Sequence, residues 1–367
     1  MLNESRKPAS DERWRHMLVQ ILTQVGNYTV ILLLSLLVGA LVIYFSGKDP
    51  IASYKAIWEG AFGNPIKFAD TLDRSTVLML SGLAAALAFR TNVINLGLEG
   101  QLYAGAFAAA LVGFSVQGLP KSIHIPLCLL AGVVAGGLWG LPVILLKLRW
   151  GIMEMVTTLM LNYIAIRFSE YLIAFPFKDP TAPMPGTPVL EATARLPKLM
   201  KGSVLNIGFI IALVMAFAVY WFLFRSKVGY ELRMVGYNKD FSAAVGIPVN
   251  RSAMLAMLLS GGLVGLGGAV VIMGFFGRFL GSFSSGYGWD GMMIALLAQN
   301  HPLGVIPASL FYAALANGAL AMQSATGVPQ TVVVMVKGAT MLFVTVRVFS
   351  TFFKRRFGKW LASTSDV

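Results

Sequence analysis

Charged residues are scarce in this chain of 367 residues. They make up 12% of the sequence, whereas 57% of the residues are hydrophobic; soluble domains carry about 25% charged residues. So few charges cannot cover the surface of a soluble protein of this length. The uncharged runs, of which 291–336 is the longest, instead favour helices that cross a lipid bilayer, because one span needs about 20 apolar residues.

Residues that support covalent, redox or metal chemistry are equally rare. Cys128 is the single cysteine, which excludes a disulfide within the chain. The histidines at positions 16, 124 and 301 have no ligand spacing. Zinc-protease, serine-hydrolase and phosphate-loop motifs are absent from the sequence. We therefore expect this chain to have no catalytic site and to bind neither a metal nor a cofactor.

The apolar runs predict an all-α polytopic membrane protein with about ten spans. The predicted membrane region extends from 25 to 350, between cytoplasmic segments 1–24 and 351–367. Lys and Arg are enriched in the segments that lie inside if both termini are cytoplasmic, which sets this orientation. The predicted spans are roughly 25–46, 75–93, 97–118, 123–146, 153–175, 204–224, 252–275, 287–299, 303–322 and 328–350.

Three connecting segments have distinct patterns. Residues 89–98 fit either a tight cytoplasmic turn or a broken helix. The outside segment 47–74 contains an amphipathic stretch at 51–58 that predicts an interfacial helix. The outside segment 178–203 has five prolines, and we expect a stiff exposed loop there because proline at this density excludes a span.

A weak internal repeat divides the membrane region into halves at about 75–175 and 252–350. Each half has a glycine-rich helix followed by a Gly-(Leu/Trp)-acid-Gly motif, at 97–100 and 288–291. The halves run in opposite directions, and in such transporters the solute path lies at their interface. Chance similarity in a glycine-rich protein is the alternative. Separately, glycines at four-residue spacing predict close helix packing: Gly132, Gly136 and Gly140, and Gly261 and Gly265.

Polar residues within the spans are candidates for lining a solute path, because ionisable groups at membrane depth usually face protein or water. Interhelical bonds that only fix packing are the alternative, and partial solvation near span ends is a second explanation for the three acids. The path candidates are Asn95, Glu99, Glu154, Thr158, Asn162, Asp290 and Lys337.

The segment 92–101, N-V-I-N-L-G-L-E-G-Q, resembles the N-I-G-x-E-G-Q signature of ABC-importer permeases in the ribose, branched-chain amino acid and nucleoside group. Further segments at 50–63, 154–163, 229–247 and 288–304 are similar to the nucleoside and simple-sugar branch of that family. Together these pieces cover most of the chain. Lys337 departs from the pattern, which has an uncharged residue there, often glutamine.

The resemblance implies a type II ABC importer-like fold and a permease subunit that moves nucleosides or related sugars across a bacterial plasma membrane. It also implies an ABC ATPase subunit with ATP and Mg²⁺, a second homologous permease in a heterodimer, and an extracytoplasmic binding lipoprotein. Nucleic acid is not expected as a partner. An ion- or proton-coupled secondary transporter of a small polar solute is the alternative function.

The inside segment 225–251 is where an ATPase would dock. Asn238 is a good N-cap, Gly246 can adopt a left-handed C-cap, and Pro248 follows, so a helix of about seven residues is predicted. A helix this short needs a partner surface, either the ATPase or the lipid headgroups. The residues assigned to coupling are Arg233, Gly236, Asn238, Phe241, Ala243, Ala244 and Gly246.

Overall fold

A computed structural model describes residues 33–182 and 184–343. The described residues are mainly helical, which confirms the all-α fold. The α-helices are α1 Leu33–Phe45, α2 Pro50–Phe62, α3 Pro65–Arg90, α4 Leu98–Ser115, α5 Lys121–Trp139, α6 Leu141–Trp150, α7 Glu154–Ala174, α8 Gly208–Arg225, α9 Lys227–Tyr237, α10 Lys239–Ala244, α11 Val249–Val271, α12 Tyr287–Leu297, α13 Pro302–Thr326 and α14 Thr331–Phe343, and a π-helix, Ile272–Phe276, continues α11.

Two compact units are distinguished within the chain. One contains residues up to Lys55 together with residues from Met322 onward, and the other contains Ala56–Ala321. In the first unit, the Tyr54 hydroxyl of α2 donates to the carbonyl of Leu36 in α1 at 2.5 Å. The second unit carries most of the predicted path residues and the predicted coupling segment.

Five helical stretches are long and apolar enough to cross a bilayer: Pro65–Arg90, Lys121–Trp150, Gly208–Arg225, Val249–Phe276 and Pro302–Thr326. By contrast, α12 has eleven residues, which is about 16 Å at the α-helical rise and roughly half the hydrocarbon thickness. The count of ten spans stays a prediction, and the terminal segments 1–24 and 351–367 lie outside the described residues.

The second unit is built around α3 and α11, whose central residues are almost all buried. α3 packs against α8, α11 and α12, and α11 also packs against α4 and α5. Gly136 of α5 lies directly against Gly261 and Gly265 of α11, where a Cβ on any of the three would collide with backbone. The four-residue glycine spacing therefore does predict close helix packing correctly.

The first outside segment is more helical than the sequence pattern indicates. The predicted interfacial helix is present as α2, with Ile51 and Trp58 exposed. α3 then begins at Pro65, because Asn64 caps it by accepting from the amide of Lys67 at 2.8 Å and proline suits the first helical turn. Residues 65–74 thus belong to α3 and not to a connecting segment.

The described residues of the proline-rich segment 178–203 form no long apolar helix, in agreement with the expectation that no span lies there, but they are not simply exposed. Thr187, Leu190, Ala194 and Leu196 are buried, because the segment folds back onto the helices. The amide of Thr187 donates to the carbonyl of Phe279 at 3.0 Å. The expectation of an exposed loop is therefore wrong for its middle, where backbone bonds and apolar side chains attach it to the bundle.

Candidate functional site

The first residues of α4 and α12 meet inside the second unit. The Glu99 carboxylate is 5% exposed and accepts from the backbone amide of Gly288 at 2.7 Å. A Cβ at position 288 would lie 2.5 Å from the Glu99 amide nitrogen, so only glycine allows this approach. The two Gly-x-acid-Gly motifs that the sequence shows as a repeat are therefore in direct contact. We call this contact of Glu99 with Gly288 the central junction.

Asn162 of α7 binds the backbone at the beginning of α4, next to the central junction. It is 4% exposed, its side-chain oxygen accepts from the amide of Gly100 at 2.7 Å, and its nitrogen donates to the carbonyl of Leu96 at 2.7 Å. The first amides of an α-helix have no partner within the helix. Asn162 supplies one, so its amide group holds the beginning of α4 in place.

Asn95 has a similar role on the opposite side of the same segment. It is fully buried and accepts from the amide of Gly97 at 3.0 Å. Its side-chain nitrogen lies 2.9 Å from Gln101 Oε1 and 3.0 Å from the Ser260 hydroxyl of α11. Residues 91–97 are thus irregular but well bonded. They interrupt the helices between α3 and α4 with a turn at 91–92 followed by a mostly buried irregular stretch, in which Asn92 is exposed.

The remaining path candidates have different surroundings. Thr158 is buried near Gly97, and its hydroxyl lies 2.7 Å from the carbonyl of Glu154. Glu154 forms an ion pair with Lys147 of α6 at 2.5 Å. Asp290 is half-buried in the first turn of α12. Lys337 is half-buried on α14 in the other compact unit. The structure thus groups Asn95, Glu99, Thr158 and Asn162, with Asp290 two residues beyond the junction.

The central junction indicates two helices that begin within the bundle. In the predicted topology α3 and α11 run in opposite directions, so α4 and α12 would start at opposite faces. Their contact requires both to start at depth. Irregular backbone at membrane depth is tolerated only where protein buries it or a cavity hydrates it, and 91–97 fits that rule. For Glu99, the explanation by partial solvation near a span end is wrong, because the carboxylate is buried.

The predicted short helix in 225–251 is present as α10. Asn238 caps it by accepting from the amide of Phe241 at 2.9 Å, and Gly246 has a φ of +84°. α10 has six residues, close to the predicted length. Ser242 is its buried side chain, whereas Phe241, Ala243, Ala244 and Val245 are exposed. The apolar side chains of this short capped helix are therefore accessible on its outer face.

Between α8 and α10 lies α9, an eleven-residue helix that the sequence analysis treats only as part of the inside segment. Gly236 of α9 packs so closely on the backbone of Arg90 at the end of α3 that a Cβ would collide with its carbonyl. The guanidinium groups of Arg90 and Arg233 lie 4.9 and 5.0 Å from the ring centre of Phe224, a distance typical of cation–π contacts. These contacts connect the coupling segment to α3 and α8.

The turn between α12 and α13 joins the same cluster. Arg90 Nε donates to the carbonyl of Asn300 at 2.6 Å, and the His301 ring lies 5.6 Å from the Phe224 ring. Burial and the positive charge of Arg90 lower the pKa of His301. Because α12 begins at the central junction and ends at this turn, a single short helix connects the junction to the cluster beside α9.

Most of the chain matches one family. The family described as "Branched-chain amino acid transport system / permease component" matches residues 68–345, which includes the central junction, α9 and α10. The chain belongs to this family. It is a permease subunit of an ABC importer, a multi-pass protein of the plasma membrane, and therefore a transport component rather than an enzyme.

Three relatives of this permease cover almost its full length. It is 37% identical over 338 residues to the guanosine ABC transporter permease protein NupP of Bacillus subtilis, covering 91% of this chain and 94% of NupP. Identity is 32% over 322 residues to the nucleoside ABC transporter permease protein NupB of Lactococcus lactis, covering 85% of this chain and 88% of NupB. It is 31% over 342 residues to the glucose ABC transporter permease protein TsgB13 of Haloferax volcanii, covering 90% of this chain and 88% of TsgB13.

A second permease of the same named system also matches in each of these three organisms: NupQ beside NupP, NupC beside NupB, and the putative TsgC13 beside TsgB13. No solved structure matches the chain. Family membership decides between the two functions left open by the sequence: the chain is an ABC importer permease and not an ion-coupled secondary transporter.

The sequence patterns do not reveal that Arg90, Phe224 and His301 belong to one cluster. The composition and spacing do not single out Arg90 or Phe224, and they show His301 only as an isolated histidine. The three positions are far apart in the chain, so no local spacing reveals that they meet. The segment similarity at 288–304 is the one signal that draws attention to this region.

Proposed function

We propose that this permease imports nucleosides as one of two permease subunits in an ATP-driven complex. The observation that carries the proposal is 37% identity to a guanosine permease over nearly the full length of both chains. A nucleoside relative at 32% identity supports the same substrate class. The glucose relative at 31% makes a simple sugar the competing substrate.

The proposed complex contains a second, homologous permease, an ABC ATPase that binds ATP and Mg²⁺, and an extracytoplasmic binding lipoprotein. The pairing of NupP with NupQ and of NupB with NupC supports a heterodimer of permeases. The basic residues of the inside segments support cytoplasmic termini, which places α9 and α10 on the cytoplasmic side, where an ATPase would bind.

We assign the ATPase contact to the exposed surface of α10, which α9 connects to the rest of the permease. Exposed Phe241 supplies the aromatic anchor that binding hot spots usually have, and Ala243 and Ala244 permit close approach. Gly236 and Arg233 of α9 then connect this surface to Arg90 and Phe224. Closure of the ATPase would move α10 and α9 together, and through Arg90 it would act on the turn that ends α12.

A role in lining the solute path stays a prediction for Asn95, Glu99, Glu154, Thr158, Asn162, Asp290 and Lys337. The bonds of Asn95, Glu99 and Asn162 to backbone amides and neighbouring side chains support a first role in holding α4 and α12 together. A solute path beside this junction would depend on its geometry, so transport is expected to be sensitive to all three.

Uptake of radiolabelled guanosine by cells that express the complete importer tests the proposal. We expect saturable uptake that unlabelled nucleosides inhibit and that glucose and ribose leave unchanged. Transport of glucose or ribose without transport of any nucleoside would contradict the assigned substrate class.

A further inference from the structure

A cavity of about 540 Å³ lies in the second unit, between the end of α7 and the segment that links the π-helix to α12. Glu170, Met184, Phe276, Leu280, Ser282 and Phe283 are among its lining residues. Its volume is in the range of pockets that hold small organic ligands, about 300–1,000 Å³. Met184 and Ser282 are exposed, so solutes can reach the cavity.

Aromatic rings form much of the cavity wall and the layer behind it. Phe276 and Phe283 both line it, with ring centres 6.2 Å apart, and Tyr103 lies 4.7 Å behind Phe283. Phe279 adds a further ring 5.3 Å from Phe283. Flat aromatic faces bind nucleobases by stacking, which tolerates different bases because every base has a π-face.

Polar groups are available beside these rings. Glu170 Oε2 accepts from Arg167 Nη1 at 2.7 Å, and no bond to its second carboxylate oxygen is found within residues 33–182 and 184–343. A carboxylate that keeps a free oxygen can accept from the N–H groups of a base edge or from sugar hydroxyls. The exposed Ser282 hydroxyl adds a second polar group at the wall.

Two backbone irregularities shape this cavity. The π-helix Ile272–Phe276 adds a residue to the last turn of α11, and such π-bulges occur often at functional sites. It leaves Phe275 exposed on the outside while Phe276 faces the cavity. Ser282 has a φ of +54°, a conformation that residues other than glycine rarely adopt and that clusters at ligand sites.

The cavity is also connected to the central junction along the chain. The Ser284 hydroxyl accepts from the amides of Gly286 and Tyr287 at 3.2 Å each, so the segment that lines the cavity caps the beginning of α12. The next residue, Gly288, donates its amide to Glu99. A ligand that orders residues 281–283 would therefore act directly on the junction.

We infer that this cavity is a binding site for the base of a nucleoside, with Phe276 and Phe283 as the stacking surface and Glu170 and Ser282 as polar contacts. The inference rests on the proposed function and adds a site within this one chain to it. Occupation of the site would precede passage of the solute beside the central junction.

Protection of an introduced thiol tests the site in the complete importer in proteoliposomes. Met184→Cys places a thiol on the cavity wall, and the native Cys128 is fully buried and contributes little background. We expect guanosine to slow maleimide labelling of Met184→Cys by at least about threefold, because a bound base fills the cavity. Ribose should not change the labelling rate of Met184→Cys. Lys201→Cys, which is exposed on the same segment but outside the cavity, should be labelled at the same rate with and without guanosine.

A pair of neighbouring phenylalanines provides the matched control. In the Met184→Cys background, Phe276→Leu should raise the guanosine concentration needed for protection about tenfold, the effect expected for loss of one stacking partner, whereas Phe275→Leu should not. If Phe276→Leu lowers assembly of the complex, Glu170→Gln decides instead, since this residue is partly exposed. An unchanged guanosine requirement in Glu170→Gln would then overturn the assignment.

Failure of this inference is distinct from failure of the proposed function. If guanosine is imported by the intact complex but does not protect Met184→Cys, or if ribose protects equally well, the cavity is not a base site and the importer assignment stands. If the intact complex imports no nucleoside, the proposed function is wrong, and the inferred base site is wrong as well because it rests on that function.

Discussion

At the scale of single residues, a few buried polar and glycine positions make close contacts that hold the helices of the permease together. Gly288 is the clearest case, because any side chain there collides with Glu99, whose carboxylate it binds. Asn162 is similar, since both ends of its amide are bonded to the backbone beside α4. Buried groups of this kind are costly to disturb, so their effects should appear in stability and transport together.

Gly288→Ala should destabilise the permease and reduce uptake. Overpacking of a close contact costs about 1–3 kcal/mol, which thermal unfolding of the purified complex would show as a lower Tm. The control is Gly338→Ala on α14, where no atom lies within 4 Å of the added Cβ and alanine favours a helix. Equal Tm values for the two variants would contradict the close contact of Gly288 with Glu99 at the central junction.

Asn162→Leu should lower both uptake and Tm. It leaves the Gly100 amide and the Leu96 carbonyl without their present partner, at about 1–3 kcal/mol for each buried group. Uptake and unfolding are measured on the same preparation. A loss of uptake with an unchanged Tm would indicate that Asn162 contacts the solute and does not mainly stabilise the beginning of α4. Normal uptake would show that Asn162 has no part in the functional site.

His301 gives the protein a pH dependence with a definite sign. Burial and Arg90 hold its pKa in the folded state below the ordinary value of 6.5. Protons therefore bind the unfolded state first as the pH falls below 6.5, and stability is lost from there downward until the pH passes the folded-state pKa. Arg233 and the rings of Tyr220 and Phe224 also surround this region.

We expect Tm to fall between about pH 7.5 and about pH 5.5, and to fall less in His301→Gln, which cannot take up the proton. Thermal unfolding of both proteins at the two pH values measures this. An identical fall in the variant would show that other groups cause the pH dependence.

At the scale of elements, sequence patterns predict α10 and the close packing of α5 on α11, and they mark an interruption at 89–98 without deciding between a turn and a broken helix. Each depends on local signals: a cap residue with a glycine stop, glycines at four-residue spacing, and asparagines between apolar runs. The patterns did not predict α9, because its amphipathic sequence lies in a segment treated as a connection. They also missed the meeting of α4 with α12, since contacts between residues 189 positions apart leave no local trace.

Ala244→Arg tests α10 as the coupling element. A large charged side chain on its exposed apolar surface should abolish ATPase association and uptake together, while the permease stays folded and inserted. Asn250→Arg is the matched control, because it adds the same charge at an exposed position of the same inside segment outside α10. Co-purification of a full complement of ATPase with Ala244→Arg would refute this role.

At the scale of the whole molecule, the chain combines long apolar helices with short helices that start or end inside the bundle. Half-helices that meet at depth are a common way to build a solute site in transporters. In the proposed complex, the ATPase would contact α9 and α10, and the solute would contact residues 277–286.

The predicted orientation can be measured on the whole chain. A reporter placed after Leu361 should be cytoplasmic, and a reporter inserted within 185–200 should be outside, as the basic residues indicate. The reverse result for either reporter would invert the assignment of α10 to the ATPase side.

Uptake by proteoliposomes that contain the complete importer tests the central claim most directly. With ATP trapped on the ATPase side and ion gradients collapsed by ionophores, the account predicts continued uptake of guanosine, because ATP hydrolysis on the partner subunit drives the permease. Uptake that persists without ATP but disappears when the ion gradients are collapsed would contradict the account.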